Sequence, residues 1–219
     1  MIDTSNVIEP HKNHPVFTSG VPIDASSAAI IMIHGRGATA QSIITLKDEL
    51  NIDEISYIAP QASNNTWYPN RFIDPIESNE PGISSGLQMI DTIIAHVNSS
   101  GIPPEKIILL GFSQGACLAL EYAARNPNNY AGVVGLSGGL IGPEGIRFNY
   151  QGKFSRSTAV FLGCSDSDFH IPVERVHETA EVFESMGAAV YKEIYENMGH
   201  TISKDEIEFI RKMISNKLL

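Results

Sequence analysis

Short, continuously apolar runs alternate with longer stretches of helical periodicity along most of this chain, and that alternation restricts its fold more than any other feature. Strands are expected at Ala28–Ile33, Glu54–Ala59, Lys106–Gly111, Ala131–Leu136, Thr158–Gly163 and Ala188–Tyr195. Most lack the apolar–polar alternation of a half-exposed strand, so they read as strands covered on both faces. Between them the spacing predicts helices. Ser84–Asn98 carries Leu87, Ile90, Ile93, Ile94 and Val97 on one stripe, with Ser84 or Ser85 as its cap. Gln114–Arg125 ends at an Asn-Pro pair, Pro172–Met186 stops at Gly187, and Ser203–Lys217 opens with a serine and two acids. A further helix is expected near Gln41–Leu50. Strand–helix alternation implies a mostly parallel sheet with right-handed crossovers and helices on both faces. The segment 1–27 is expected to add an antiparallel edge strand around Val16–Ser19.

With 219 residues, 42% of them apolar, one domain over 1–219 with one filled core is expected. The formal net charge of −10 argues against nucleic acid and anionic membranes. No basic and apolar leader opens the chain, and no apolar run approaches the ~18 residues that span a bilayer. The only cysteines, Cys117 and Cys164, lie in apolar runs without metal-ligand spacing, as reduced core residues do. A cytoplasmic protein is expected, with neither metal nor other cofactor. Monomer and homodimer both remain open.

Chemistry concentrates at Gly111-Phe112-Ser113-Gln114-Gly115. The pentapeptide G-x-S-x-G is cheap by itself, but here it leaves an expected strand and enters an expected helix, the context of a nucleophile elbow. A serine hydroxyl needs a base, and the base needs an orienting acid. In chain order these should be Ser, then Asp or Glu, then His. Asp166 and Asp168 follow one expected strand, and His200 follows the last, after Gly199. Asp168 lies further into its loop and is preferred as the orienting acid; Asp166 is assigned to bonding backbone amides in the turn. His170 is too near Asp168 in sequence to be the base, and His177 falls within an expected helix. His11, His14 and His96 have no supporting context. Oxyanion donors are expected from the backbone N–H of Gln114 and of Arg36, the latter in the His34-Gly35-Arg36-Gly37 loop. His34 is assigned a structural hydrogen bond.

Two stretches, Pro60–Pro81 and Gly138–Ser157, resist assignment, and unstructured loops of that length are usually functional. They are expected to supply the pocket: Trp67, Tyr68 and Phe72 from the first, Leu140 and Ile141 from the second. Trp67 has an alternative reading as a loop anchor packed on the core. Either Arg71 or the Arg36 side chain could pair with a substrate carboxylate, against the usual solvated role of exposed arginine.

The segments MIHGRG, APQ…W, GIPPEKIILLGFSQGACLALEYA, GLSGGL, GCSDSDFHIPVERV and GHTIS, in this order, resemble the phospholipase/carboxylesterase family of small α/β-hydrolases. That family includes acyl-protein thioesterases and bacterial carboxylesterases. The resemblance runs from about Ala28 to the C-terminal helix, most specifically in GFSQG and DSDFHIPV. It implies an α/β-hydrolase fold without a large lid domain, a triad at Ser113, Asp168 and His200, and oxyanion donors at Arg36 and Gln114. Two departures, HGRGA where thioesterase-like members tend to carry HGLGD and Ala116 in place of a third glycine, weigh against acyl-protein substrates. A small-molecule ester substrate is expected, with small or medium acyl groups. Thioester or lysophospholipid hydrolysis is the sibling expectation, and a catalytically silent binding fold is the alternative from another class.

Overall fold

The computed structural model describes residues 2–218. Seven strands form its sheet: β1 (Val16–Gly20), β2 (Ala29–Ile33), β3 (Ser56–Pro60), β4 (Ile107–Phe112), β5 (Gly132–Leu136), β6 (Ala159–Ser165) and β7 (Ala189–Tyr195). Their order is β1-β3-β2-β4-β5-β6-β7. Only β1 runs antiparallel, paired with β3 from Val16 opposite Pro60 to Gly20 opposite Ser56. The other pairs are parallel. Every residue of β2, β3, β5 and β6 is buried, as continuous apolar runs require of strands covered on both sides.

Six helices cover the faces: α1 (Ala40–Ile44), α2 (Leu46–Leu50), α3 (Gly82–Ser99), α4 (Gln114–Arg125), α5 (Val173–Ser185) and α6 (Lys204–Lys217). Alternate side chains of each strand point to opposite faces. Ile31, Ile33, Leu109 and Val133 therefore join α3, α4 and α5 in one core. Ile30, Met32, Ile108 and Leu110 join α1, α2 and α6 in the other. The architecture is the α/β-hydrolase fold that the resemblance implies, and among the described residues no helical lid is inserted between strands.

Two local expectations differ. The helix expected over Gln41–Leu50 is two short helices meeting at Thr45, whose hydroxyl bonds back to the Ser42 carbonyl. Neither Ser84 nor Ser85 caps α3, which is preceded by Pro81. Glu80 serves instead, its carboxylate accepting from both the N–H and the hydroxyl of Ser84. Ser85 donates to the Ile8 carbonyl and accepts from the His11 N–H, tying the N-terminal segment to α3. Among the described residues no helix is long and apolar enough to cross a membrane. Cys117 and Cys164 are buried and unbonded to each other.

Candidate active site

The turn between β4 and α4 is held by close backbone contact on both sides of Ser113. A Cβ on Gly111 would lie 2.2 Å from the Gly115 carbonyl oxygen, and one on Gly115 would lie 2.1 Å from the Ile33 carbonyl oxygen. Only glycine fits either position, which is the steric content of G-x-S-x-G. The chain turns so sharply that Ser113 takes φ 55° and ψ −121°, a strained conformation for a non-glycine residue. Its hydroxyl is thereby lifted above the C-terminal edge of the sheet.

Two further strand ends converge on that hydroxyl. His200, in the loop after β7, lies with Nε2 2.8 Å from Ser113 Oγ and Nδ1 2.7 Å from Asp168 Oδ2. Asp168, after β6, accepts at its other oxygen from the N–H groups of His170 (2.8 Å) and Ile171 (3.2 Å). Burial pushes the Asp168 carboxyl upward, but its bonds from His200 and these amides outweigh that, and its pKa lies below the ordinary value. The His200 ring packs between Phe112, with centroids 5.0 Å apart, and His170, at 4.8 Å. Gly199 turns the loop with φ 76°. Ser165 Oγ accepts from the Gly199 N–H (3.1 Å), and Asp166 Oδ1 accepts from the Asn197 N–H (2.8 Å). Asp166 thus shapes the turn, as expected of it. His170 sits beside the site without reaching Ser113, and His177 is exposed on α5.

Arg36 lies in the loop after β2, which presses against the elbow: a Cβ on Gly35 would be 3.3 Å from Ser113 Cβ. The Arg36 N–H makes no hydrogen bond among the described residues, and the Gln114 N–H opens α4, where no intrahelical acceptor exists. His34 holds this loop, Nδ1 against the Gly35 carbonyl and Nε2 accepting from the Ala62 N–H. The Gln114 side chain has a role that sequence reasoning missed. Its Oε1 accepts from the Trp67 N–H (2.9 Å) and its Nε2 donates to the Tyr68 carbonyl (2.8 Å), so it fastens the 61–81 loop to the elbow.

The family model described as phospholipase/carboxylesterase matches residues 19–218. The chain belongs to the phospholipase/carboxylesterase family. A solved phospholipase/carboxylesterase structure from Dyadobacter fermentans superposes with a TM-score of 0.90 at 43% identity, covering 96% of this chain and all of that one. Acyl-protein thioesterase 1 of Gibberella zeae is 27% identical over 217 residues, 87% of this chain and 92% of that one. Lysophospholipase-like protein 1 of Mus musculus is 25% identical over 216 residues, 90% of each chain. Family membership makes the chain an ester-cleaving hydrolase.

In this phospholipase/carboxylesterase family member a cleft of about 410 Å³ opens over Ser113, Gln114 and His200, with Tyr68, Phe72 and Ile171 among its walls. Three residues expected to line it do not. Trp67 is fully buried beneath its loop, because its indole N–H finds the His34 carbonyl (2.9 Å) and its ring fits over Gly86. Leu140 and Ile141 are buried as well. Their backbone is drawn inward by two groups no periodicity could reveal, Glu121 and Arg175. Glu121 on α4 accepts from the Ile141 N–H (3.1 Å) and the Tyr150 hydroxyl (2.8 Å). Arg175 on α5 donates to the Leu140 and Gly142 carbonyls at 2.8 and 2.7 Å. Buried ions of this kind are retained only where hydrogen bonds satisfy them. They staple the second loop onto the core, so it forms no wall of the cleft. Among the described residues no group of three or more His, Cys, Asp or Glu side chains is placed to hold a metal ion.

Trp67 is flanked by two buried histidines, His11 at 5.0 Å and His34 at 5.1 Å between ring centroids. His11, which has no supporting context in the sequence, donates to the Trp67 carbonyl (2.9 Å) and accepts from the Ser63 N–H (3.0 Å). Burial pushes its pKa down to about 4, and burial lowers His34 likewise. Above pH ~6.5 both rings are neutral in the folded and unfolded chains and contribute no pH dependence. Below that the unfolded chain takes up protons that the folded one refuses, so stability should fall as pH drops from ~6.5 towards 4. The loss at His11 alone should total about 3 kcal/mol at ~1.4 kcal/mol per pH unit. Urea unfolding at pH 7, 6 and 5 should show this slope, flattened in His11→Gln; an unchanged slope in the variant would assign it to other groups.

Proposed function

We propose that the protein is a serine carboxylesterase that cleaves esters of small or medium acyl groups through an acyl-enzyme at Ser113. The observation carrying this reading is the unbroken chain from Ser113 Oγ to His200 Nε2 and from His200 Nδ1 to Asp168 Oδ2, at 2.8 and 2.7 Å. Neutral His200 takes the serine proton as Oγ attacks the ester carbonyl, and Asp168 stabilises the imidazolium that results. The carbonyl oxygen, now an anion, receives the N–H groups of Arg36 and Gln114. Collapse expels the alcohol with the proton returned from His200. Water then repeats the sequence on the acyl-enzyme and releases the acid. No metal or organic cofactor enters these steps.

The cleft's volume and the absence of a helical lid support small and medium acyl groups. With Trp67 packed beneath the loop, Trp67→Ala should cost about 3–5 kcal/mol of stability and should not select among acyl lengths. The kcat/KM values for acetyl and octanoyl esters should fall by similar factors below the variant's Tm. A loss confined to octanoyl would return Trp67 to the pocket wall.

A fluorophosphonate probe tests the reading at its root: the protein should label, and Ser113→Ala should not. Failure of the wild type to label would favour a silent binding fold. Thioester or lysophospholipid hydrolysis on the same residues is favoured by the relatives' names, and matched oxygen esters and thioesters of one acyl series would separate these chemistries. The reading also comprises one domain over 1–219 and residence in the cytoplasm, where two buried thiols stay reduced.

A further inference from the structure

The cleft's charge is opposite to that of the chain around it. A protein with 25 acidic and 15 basic side chains would ordinarily repel anions. Yet Arg36 and Arg71 both line the cleft against one lining carboxylate, Asp74, a surplus of one positive charge on its walls, while the Asp168 carboxylate is buried behind His200. Neither guanidinium is neutralised. Arg36 donates Nη1 to the Pro69 carbonyl (2.6 Å) and Nη2 to the Asn70 carbonyl, both uncharged acceptors. Arg71 is exposed, and its guanidinium has no hydrogen-bond or ion-pair partner among the described residues. Asp74 directs Oδ2 to the backbone N–H of Arg71 (2.8 Å), which holds the 71–74 turn and leaves the Arg71 side chain unpaired. Two arginines elsewhere are matched with acids, Arg125 with Glu121 at 2.6 Å and Arg175 with Glu178 at 2.7 Å, whereas Arg211 donates to the Glu49 and Leu50 carbonyls and Arg147 and Arg156 form no ion pair among the described residues.

We infer that Arg71, backed by Arg36, forms an anion subsite that selects esters carrying a carboxylate remote from the scissile bond. A guanidinium presents a planar fork of N–H donors that matches a carboxylate in geometry as well as charge. A surplus of one charge suits a monoanion. Arg36 has a second consequence here: by gripping the 69–70 carbonyls it sets where the neighbouring Arg71 projects. The apolar walls at Phe72 and Ile171 would take the carbon chain between the two ends. This inference rests on the esterase reading for its substrate class, but the anion subsite itself does not.

The test compares isosteric pairs that differ in charge. On the acyl side, 4-nitrophenyl hemiglutarate is set against its terminal primary amide; on the alcohol side, 4-acetoxybenzoate is set against 4-acetoxybenzamide. Within at least one pair the wild type should show the higher kcat/KM for the anionic ester. Arg71→Gln should reduce that anionic-to-neutral ratio about tenfold, mostly through KM, with Arg71→Lys intermediate. Rising salt should erode the wild-type preference. In parallel, glutarate binding to the Ser113→Ala protein is measured by calorimetry, with and without Arg71→Gln. An anionic-to-neutral ratio and a glutarate affinity that are both indifferent to Arg71→Gln would overturn the inference. Absence of any ester turnover together with Arg71-dependent glutarate binding would overturn the esterase reading and uphold the subsite.

Discussion

Ser113→Ala is expected to lower ester turnover by about 10⁴-fold or more, with the fold intact. In the proposed mechanism the hydroxyl, 2.8 Å from His200 Nε2, is the attacking atom, and its removal deletes it. What remains is positioning and oxyanion stabilisation, which act on water far less effectively. The variant should fold because alanine keeps the Cβ that already occupies the strained φ of 55°, and no backbone contact at Gly111 or Gly115 changes. Circular dichroism and thermal melting check the fold, and burst kinetics with a nitrophenyl ester check the chemistry. Retention of a tenth of wild-type turnover would remove Ser113 from the nucleophile's role.

Asp168→Asn should cost about 10⁴-fold in kcat, because the amide supports the wrong imidazole tautomer while matching the carboxylate in shape. The carboxyl of Asp168 titrates below the ordinary range, so at neutral pH it is the charged form that faces His200 Nδ1. Asp166→Asn keeps an oxygen that can accept the Asn197 N–H, and its loss should stay within about tenfold. The two aspartates are two residues apart on one turn, so the pair controls for general damage to that loop. Equal losses in two well-folded variants would mean that the turn as a whole, and not one carboxylate, orients the imidazole.

The three residues that meet in one hydrogen-bonded chain, Ser113, His200 and Asp168, were legible because each belongs to a local pattern. Ser113 stands at a strand–turn–helix junction with glycines on both sides. Asp168 and His200 each follow a run whose apolar continuity marks a strand of a parallel sheet. Helices also announced themselves by period, and the ends of α4 match the expectation, Gln114 to Arg125. Two helices depart from what their period implies through local competition: the Thr45 hydroxyl bonds back where one helix breaks, and Glu80 displaces two serines as the cap of another. The pocket walls were less legible. Trp67, Leu140 and Ile141 belong to loops, and a loop has no period from which the direction of a side chain can be read.

The amino-acid sequence by itself determined the parallel sheet, the elbow and the order Ser113, Asp168, His200, since these follow from short-range sterics and hydrophobic periodicity. Only the tertiary structure decided which loop residues face the cleft. That choice is made by polar groups distant in sequence: Gln114 holding the Trp67 amide, His11 holding the Trp67 carbonyl, Glu121 and Arg175 drawing in the backbone of the second loop. A buried polar group must find its partner wherever the fold brings one within about 3 Å, and sequence spacing carries no record of that distance.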